Sequence, residues 1–286
     1  MEILFWTSCF TKRRSLIIIY IIYLRQRMVF TTLQLQWALS TLNSSLLLAC
    51  VSVALTSLFP PLQSFLKYGK TLKLKHDKLP FLNVYVPKCW FTHFYIIHFT
   101  LSLVNVCLIL GHRFAFTDLQ VISIINLIQS SRRLFECLFV SNFSKTSNIH
   151  IFHYLVGVYF YTTINMIPLV MYLLDMSNDV SVWGMIVPII IFTIASLDQS
   201  YNHKILSKQK KYTIPRIGLF QYVVCPHYFD EIIIYGSIFL IKPSISFSLV
   251  VVWVAVNLSI SANESFHFHK SQDEIKFQKR IFPFIY

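Results

Sequence analysis

Apolar residues in this chain gather into long runs broken by short polar connections, and neither strict alternation nor a narrow 3.6-residue stripe describes the pattern. A helix rising about 1.5 Å per residue needs roughly 20 apolar residues to cross about 30 Å of hydrocarbon. Seven runs approach that length, at 38–59, 91–110, 119–140, 151–174, 180–197, 222–240 and 245–260. The first stops at Pro60 and Pro61, and the sixth is interrupted by Pro226, His227, Asp230 and Glu231. The pattern predicts an all-α, polytopic membrane protein with about seven transmembrane helices. Residues 1–34 form an N-terminal appendage, 35–200 carry helices one to five, and 201–286 form a C-terminal region with the last two. In the appendage, Lys12, Arg13 and Arg14 precede a short apolar run as in a signal sequence, but no convincing small-residue cleavage site follows.

Composition agrees with a lipid solvent. With 55% hydrophobic and 13% charged residues, the 286-residue chain has too little polar surface for a soluble domain. The net charge of +13, from 25 Lys and Arg against 12 Asp and Glu, does not form a continuous basic face, so nucleic acid is not an expected partner. The basic residues instead sit in connections: Lys67 to Lys88, then Lys204, Lys208, Lys210, Lys211 and Arg216, then the tail from Lys270 to Arg280. Seven crossings put all of these on one side and the acidic Asp175–Asp179 connection on the other, which predicts a cytosolic C-terminus facing anionic lipid headgroups.

Six cysteines without a CxxC pair write neither a zinc site nor a redox dithiol, and they are expected as small buried hydrophobes. His267 and His269 lack a third ligand at suitable spacing, so no metal is expected. Asn-x-Ser/Thr occurs at Asn43, Asn142, Asn257 and Asn263, all in predicted spans or near the cytosolic side, where glycosylation does not reach.

The polar exceptions carry the chemistry. Arg132, Arg133 and Glu136 lie within the third run, where each charge costs several kcal/mol unless protein or water surrounds it. Glu136 follows Arg132 by four and Arg133 by three, so an intrahelical pair would satisfy them; three ionisable groups nevertheless exceed what helix packing requires. Gln199 and His203, four apart, share a helix face at the cytosolic end of the fifth run, either as ligand-binding groups at the membrane surface or as an ordinary interfacial face. From Tyr212 to Glu231 the chain mixes turn formers, aromatics and hydrogen-bonding groups, with Pro215 and Gly218 breaking any helix. Irregular backbone at membrane depth is tolerated where it is buried in protein or lines a cavity, so a polar ligand is expected there rather than a plain re-entrant linker.

Tyr212-Thr-Ile-Pro-Arg-Ile-Gly-Leu-Phe, Cys225-Pro-His-Tyr-Phe-Asp-Glu-Ile232 and the closing Pro283-Phe-Ile-Tyr286 resemble the C-terminal region of the steroid 5α-reductase family. Leu66-Lys-Tyr-Gly-Lys-Thr71, Val86-Pro-Lys-Cys-Trp-Phe-Thr-His-Phe-Tyr95 and Arg132-Arg-Leu-Phe-Glu-Cys-Leu-Phe-Val-Ser141 are similar to its polyprenol-reducing branch. The resemblance covers about residues 58–286 and implies a seven-helix protein of the endoplasmic reticulum membrane. It further implies NADPH as reductant and a long-chain isoprenoid lipid as substrate, whose α-isoprene double bond is reduced to give dolichol for N-glycosylation. By position it places Gln199, His203, Arg216, Gly218, His227, Tyr228, Glu231 and Asn263 around the cofactor. Glu136, Arg133 and the 90–95 stretch with Tyr95 face the substrate. The chain departs from the family pattern at Ile217, where a glycine is usual, at Phe266, where a histidine is usual, and before Lys276, where a Tyr-Pro pair is missing.

A hydride is nucleophilic, and an isolated allylic alcohol offers it no electron sink, whereas a conjugated aldehyde takes up the charge on oxygen. The expected species is therefore the enal, with Tyr95 or a protonated Glu136 donating to its carbonyl and Arg216 with the 204–211 lysines meeting the anionic cofactor. The alternatives are reduction of steroid enones or trans-2-enoyl thioesters by the same cofactor half, and a non-catalytic membrane scaffold or transporter. The sequence leaves the oligomeric state open.

Overall fold

The computed structural model describes residues 31–59, 84–110, 116–143, 147–209 and 213–282. The basic stretch 67–78, Lys210, Lys211, Tyr212 and the closing Pro283–Tyr286 motif, on which several expectations rest, lie outside the described residues. Among the described residues there are seven helices: α1 (Thr31–Leu58), α2 (Phe91–Leu110), α3 (Asp118–Phe135), α4 (Ile151–Leu173), α5 (Val182–Lys208), α6 (Pro226–Ile241) and α7 (Ile245–Lys270). Five of them, α1, α2 with the turn before it, α4, α5 and α7, are long and apolar enough to cross a membrane. The all-α polytopic reading of the sequence holds.

Several boundaries move. Helix α1 is already formed at Thr31, ahead of the expected 38, so it takes in the last four residues of the expected appendage. Helix α5 runs on to Lys208, eleven residues past the expected end, because nothing between Leu197 and Lys208 breaks a helix once the apolar run stops. Helix α6 begins only at Pro226, a residue suited to the first helical position because it has no N–H to leave unpaired.

Helix α3 differs most from the sequence pattern. It is the inner helix of the bundle, and Gln120, Asn126 and Gln129 are buried on it together with Leu119, Ile122 and Ile125. Its start is fixed by a capping box in which the Thr117 hydroxyl accepts from Gln120 N and the Gln120 side chain accepts from Thr117 N at 2.9 Å. Asp118, in the first turn, accepts a hydrogen bond from Lys242 Nζ at 2.6 Å and from Asn178 Nδ2 at 3.1 Å, which ties α3 to the α4–α5 connection and the end of α6. At its other end the helix loosens into a π-helical turn, Glu136–Val140, closed by Ser141 N donating to Glu136 O at 2.8 Å. Such turns are rare and concentrate at functional sites.

Helix α2 packs on α3 and α4, while α6 packs between α5 and α7. One apolar core joins Leu46 of α1, Ile122 of α3, Phe160 of α4, Phe192 of α5, Ile234 of α6 and Trp253 of α7. Two short strands, β1 (Tyr85–Pro87) and β2 (Asn148–His150), pair antiparallel with Tyr85 opposite His150 and bring the starts of α2 and α4 together. At the same end the C-terminal segment runs beside the linker before α6, with Val224 N donating to Lys279 O at 2.9 Å and Lys279 N to Tyr222 O at 2.8 Å. Ile214, Val224, Cys225, Ala262 and Ile281 bury a second, smaller core beneath it.

Candidate active site

The charges that interrupt the third apolar run meet at the junction of α3, the π turn, α2 and α5. Glu136, only 2% exposed, accepts from Arg132 Nη1 at 2.6 Å and from Arg133 Nη1, and pairs with His203 Nδ1 at 2.7 Å. The intrahelical pairing legible in the sequence is thus real but incomplete, because α5 supplies a further partner. Arg133 extends the network with Nη2 donating to the Tyr95 hydroxyl at 2.7 Å.

Arg132 carries the network the other way. Its Nη2 donates to Gln129 Oε1 at 2.8 Å and Gln199 Oε1 at 2.5 Å, and Gln199 Nε2 donates to Glu231 Oε2 at 2.5 Å and to the His227 carbonyl at 3.0 Å. Two guanidinium groups and two carboxylates therefore alternate from α2 to α6. A buried arrangement of this kind persists only when each charge is matched, since removing one partner strands another in low dielectric.

This network borders a cavity of about 300 Å³ whose walls are chemically unlike. Phe91, Phe94 and Tyr95 of α2 and Phe160 and Tyr161 of α4 form an aromatic side. Arg133, His203, His227, Tyr228 and Glu231 form a polar side. The volume lies at the low end of small-molecule sites, enough for reacting ends rather than for a long lipid.

Of the residues singled out from the sequence, Tyr95, Arg133, His203, His227, Tyr228 and Glu231 line the cavity. Glu136 does not line it but stands behind Arg133. Gln199, expected at the membrane surface, is instead 1% exposed, because α5 continues past it and α6 covers it. Arg216, Gly218 and Asn263 are outside the cavity wall: Arg216 is exposed and donates to Glu274 O at 2.5 Å, and Asn263 Oδ1 accepts from Arg280 Nε at 2.7 Å. Gly218 has φ of +57°, a conformation that a residue with a Cβ adopts at a cost, and it opens a short 3₁₀ turn over Tyr201 and Ile205. Phe266, one of the departures, lies 4.7 Å beneath the Arg280 guanidinium.

Trp90 is exposed and off the cavity, so only part of the 90–95 stretch faces it. Cys137 lines the cavity beside Arg133, whereas Cys89 and Cys107 are exposed rather than buried, on helices whose outer faces are apolar. His269 pairs with Glu274 at 2.5 Å. Contributors missed from sequence include Gln129, Phe160 and Tyr161. Gln129 sits three residues before Arg132 and could have been found by extending the helix face, and Tyr161 has no spacing signal at all.

A family profile described as 3-oxo-5-alpha-steroid 4-dehydrogenase matches residues 145–286. A polyprenal reductase of Saccharomyces cerevisiae is 37% identical over 78% of this chain and 87% of its own length. The chain belongs to the steroid 5α-reductase family. Similar polyprenal reductases occur in Ailuropoda melanoleuca, 29% identical over 87% of this chain and 97% of the relative, and in Homo sapiens, 28% identical over 78% and 86%. This member of the family is accordingly an oxidoreductase with a multi-pass membrane architecture. The profile begins just before α4, so the charged π turn and Tyr95 fall outside it but inside the stretch shared with the relatives that cover most of the chain.

Proposed function

We propose that this protein is an NADPH-dependent polyprenal reductase of the endoplasmic reticulum membrane, with a cytosolic C-terminus. In this reading it saturates the α-isoprene double bond of polyprenal, derived from polyprenol, on the way to dolichol for N-glycosylation. The observation that carries the reading is the Tyr95 hydroxyl on the cavity wall, where it accepts from Arg133 Nη2 at 2.7 Å. Held in that way, the hydroxyl can direct its own proton into the cavity toward a carbonyl oxygen.

The polar wall fits a nicotinamide dinucleotide. His203, His227, Tyr228 and Glu231 supply imidazole, phenol and carboxylate groups along it, the Gln199 amide behind them donates to Glu231 and to the His227 carbonyl, and Arg132 and Arg133 each keep a buried Nε without a partner. Beyond that wall, Lys204, Lys208, Arg216, Lys270, Lys276, Lys279 and Arg280 outnumber Glu264, Asp273 and Glu274, as a phosphate-bearing ligand requires. When bound, the cofactor supplies a hydride, which a conjugated aldehyde accepts at its β-carbon.

The chain's own groups do the rest. Tyr95 donates to the aldehyde oxygen, where negative charge develops as hydride adds, and Arg133 keeps that phenol oriented and polarised. Glu136 acts behind them as the counter-charge that fixes both arginines; its oxygens are occupied by Arg132, Arg133 and His203, which favours Tyr95 over Glu136 as the donor. The aromatic side of the cavity excludes water and accommodates the first isoprene unit, while the remaining lipid extends into the bilayer.

The test is a reconstituted assay with NADPH and matched long-chain polyprenal and polyprenol, with NADH as the cofactor control. Reduction of polyprenal at the α double bond with preference for NADPH is expected. Direct reduction of polyprenol with polyprenal untouched would overturn the proposed substrate, and an unchanged polyprenol-to-dolichol ratio in cells lacking the protein would overturn the pathway role.

A further inference from the structure

Phe94 lies against the backbone of α4 at the one position of that helix without a side chain. A Cβ on Gly157 would stand 2.5 Å from Phe94 Cζ and 2.7 and 2.9 Å from its Cε atoms. Carbon atoms settle at about 3.5–4.0 Å, so any side chain at 157 forces the ring away.

The ring has little freedom to yield sideways. Phe94 is 2% exposed, with Phe91, Tyr154 and Tyr161 at centroid distances of 5.1, 5.4 and 6.1 Å. Tyr154 is itself anchored through its hydroxyl to His93 Nδ1 at 3.1 Å. The remaining open direction is the cavity, whose wall Phe94 and Gly157 both form.

Width at this point matters for one chemical feature. An isoprenoid enal carries a methyl branch on its β-carbon, and so is broader at the reacting end than an unbranched 2-enal of equal length. We infer that Gly157 is a specificity-determining residue, which keeps the Phe94 ring out of the cavity and so leaves room for the β-methyl group of the substrate. The inference rests on the enal reading above.

The experiment uses the full-length protein in detergent with NADPH, comparing farnesal, which is β-methyl branched, with (E)-2-dodecenal, which is not. Dodecenal is followed as a substrate or, if it is not turned over, as a competitive inhibitor of farnesal reduction. Gly157→Ala is expected to lower kcat/KM for farnesal by roughly 10- to 100-fold, the range one misplaced methyl group commands in an apolar pocket, while dodecenal changes by less than about threefold. Adding Phe94→Leu to Gly157→Ala should restore farnesal reduction, because the smaller side chain clears the added methyl.

Phe94→Trp narrows the cavity without altering α4 and should repeat the selective loss; it decides the matter if Gly157→Ala fails to fold. Equal loss on both aldehydes without recovery in the double variant, or no loss at all, would overturn the inference. A wild-type protein that reduces neither aldehyde nor polyprenal would instead overturn the functional reading, and the inference with it.

Discussion

The Arg133 guanidinium holds Tyr95 in two ways, donating Nη2 to its hydroxyl at 2.7 Å and lying 4.7 Å from the centre of its ring. An arginine is suited to this because its planar fork bonds and stacks at once, whereas a lysine offers a point charge. Tyr95→Phe removes the hydroxyl while keeping the ring and its cation–π contact. The expected outcome is a fall in kcat of about 10²- to 10³-fold, as for loss of one oxyanion donor, with the KM for NADPH little changed. Steady-state kinetics on polyprenal measure both. A mutant with wild-type kcat would remove Tyr95 from the chemistry.

Glu136 is the counter-charge for both arginines, and its loss should spread further than that of Tyr95. Glu136→Gln leaves Arg132 and Arg133 facing a neutral amide in a site that is 2% exposed. Breaking a buried ion pair from one side costs on the order of 3–5 kcal/mol, so a lower melting temperature is expected together with reduced activity. Because Arg132 links Glu136 to Gln199, and Gln199 to Glu231, cofactor affinity should fall as well as kcat. Thermal melts with and without NADPH separate the two effects: the cofactor should raise the melting temperature of wild type more than that of the mutant.

A second buried pair offers the contrasting case. Lys242 and Asp118 meet at 2.6 Å, 6% and 2% exposed, where α6 ends and α3 begins, away from the cavity. Lys242→Met should destabilise the fold by about 3–5 kcal/mol by leaving Asp118 unmatched. Asp118→Asn combined with Lys242→Met should recover part of that loss, since no unpaired charge is then buried. In both variants the KM values of the protein that remains folded should stay near wild type, and chemical denaturation paired with kinetics checks this.

These contrasts show what could be read from the sequence. Apolar runs separated by Pro, Gly and basic connections exposed the existence of seven helices, because lipid crossing demands length and apolarity that local composition records. Helix α3 was less legible: Gln120, Asn126 and Gln129 look like interruptions until the helix is known to be innermost, where neighbours satisfy them. The pairing of Glu136 with Arg132 and Arg133 was visible in their spacing. Its continuation to His203 and Tyr95 was not, since a side chain 67 residues away leaves no periodic trace. The His227 carbonyl that accepts from Gln199 is a backbone group and carries no residue signature whatever. The close approach of Phe94 to Gly157 is equally silent, because a glycine within an apolar run does not announce which ring it admits.

The basic end beyond the polar wall makes a prediction that depends on salt. Arg216, on the linker that leads from α5 to α6, is exposed and donates to the Glu274 carbonyl. In the proposed reading its charge would act on the anionic cofactor mainly through the field it shares with Lys204 and Lys208 rather than through a buried bond. Surface charges are screened over about 10 Å at 0.1 M salt and over about 30 Å at 0.01 M. Arg216→Glu should raise the KM for NADPH, with kcat nearly constant, and the increase should be several-fold larger at low salt than at 0.5 M. NADH, which lacks the 2′-phosphate, should respond less than NADPH to the same reversal. If the change is equal for both cofactors and independent of salt, Arg216 acts by ordering the linker around Gly218, and the electrostatic role is excluded.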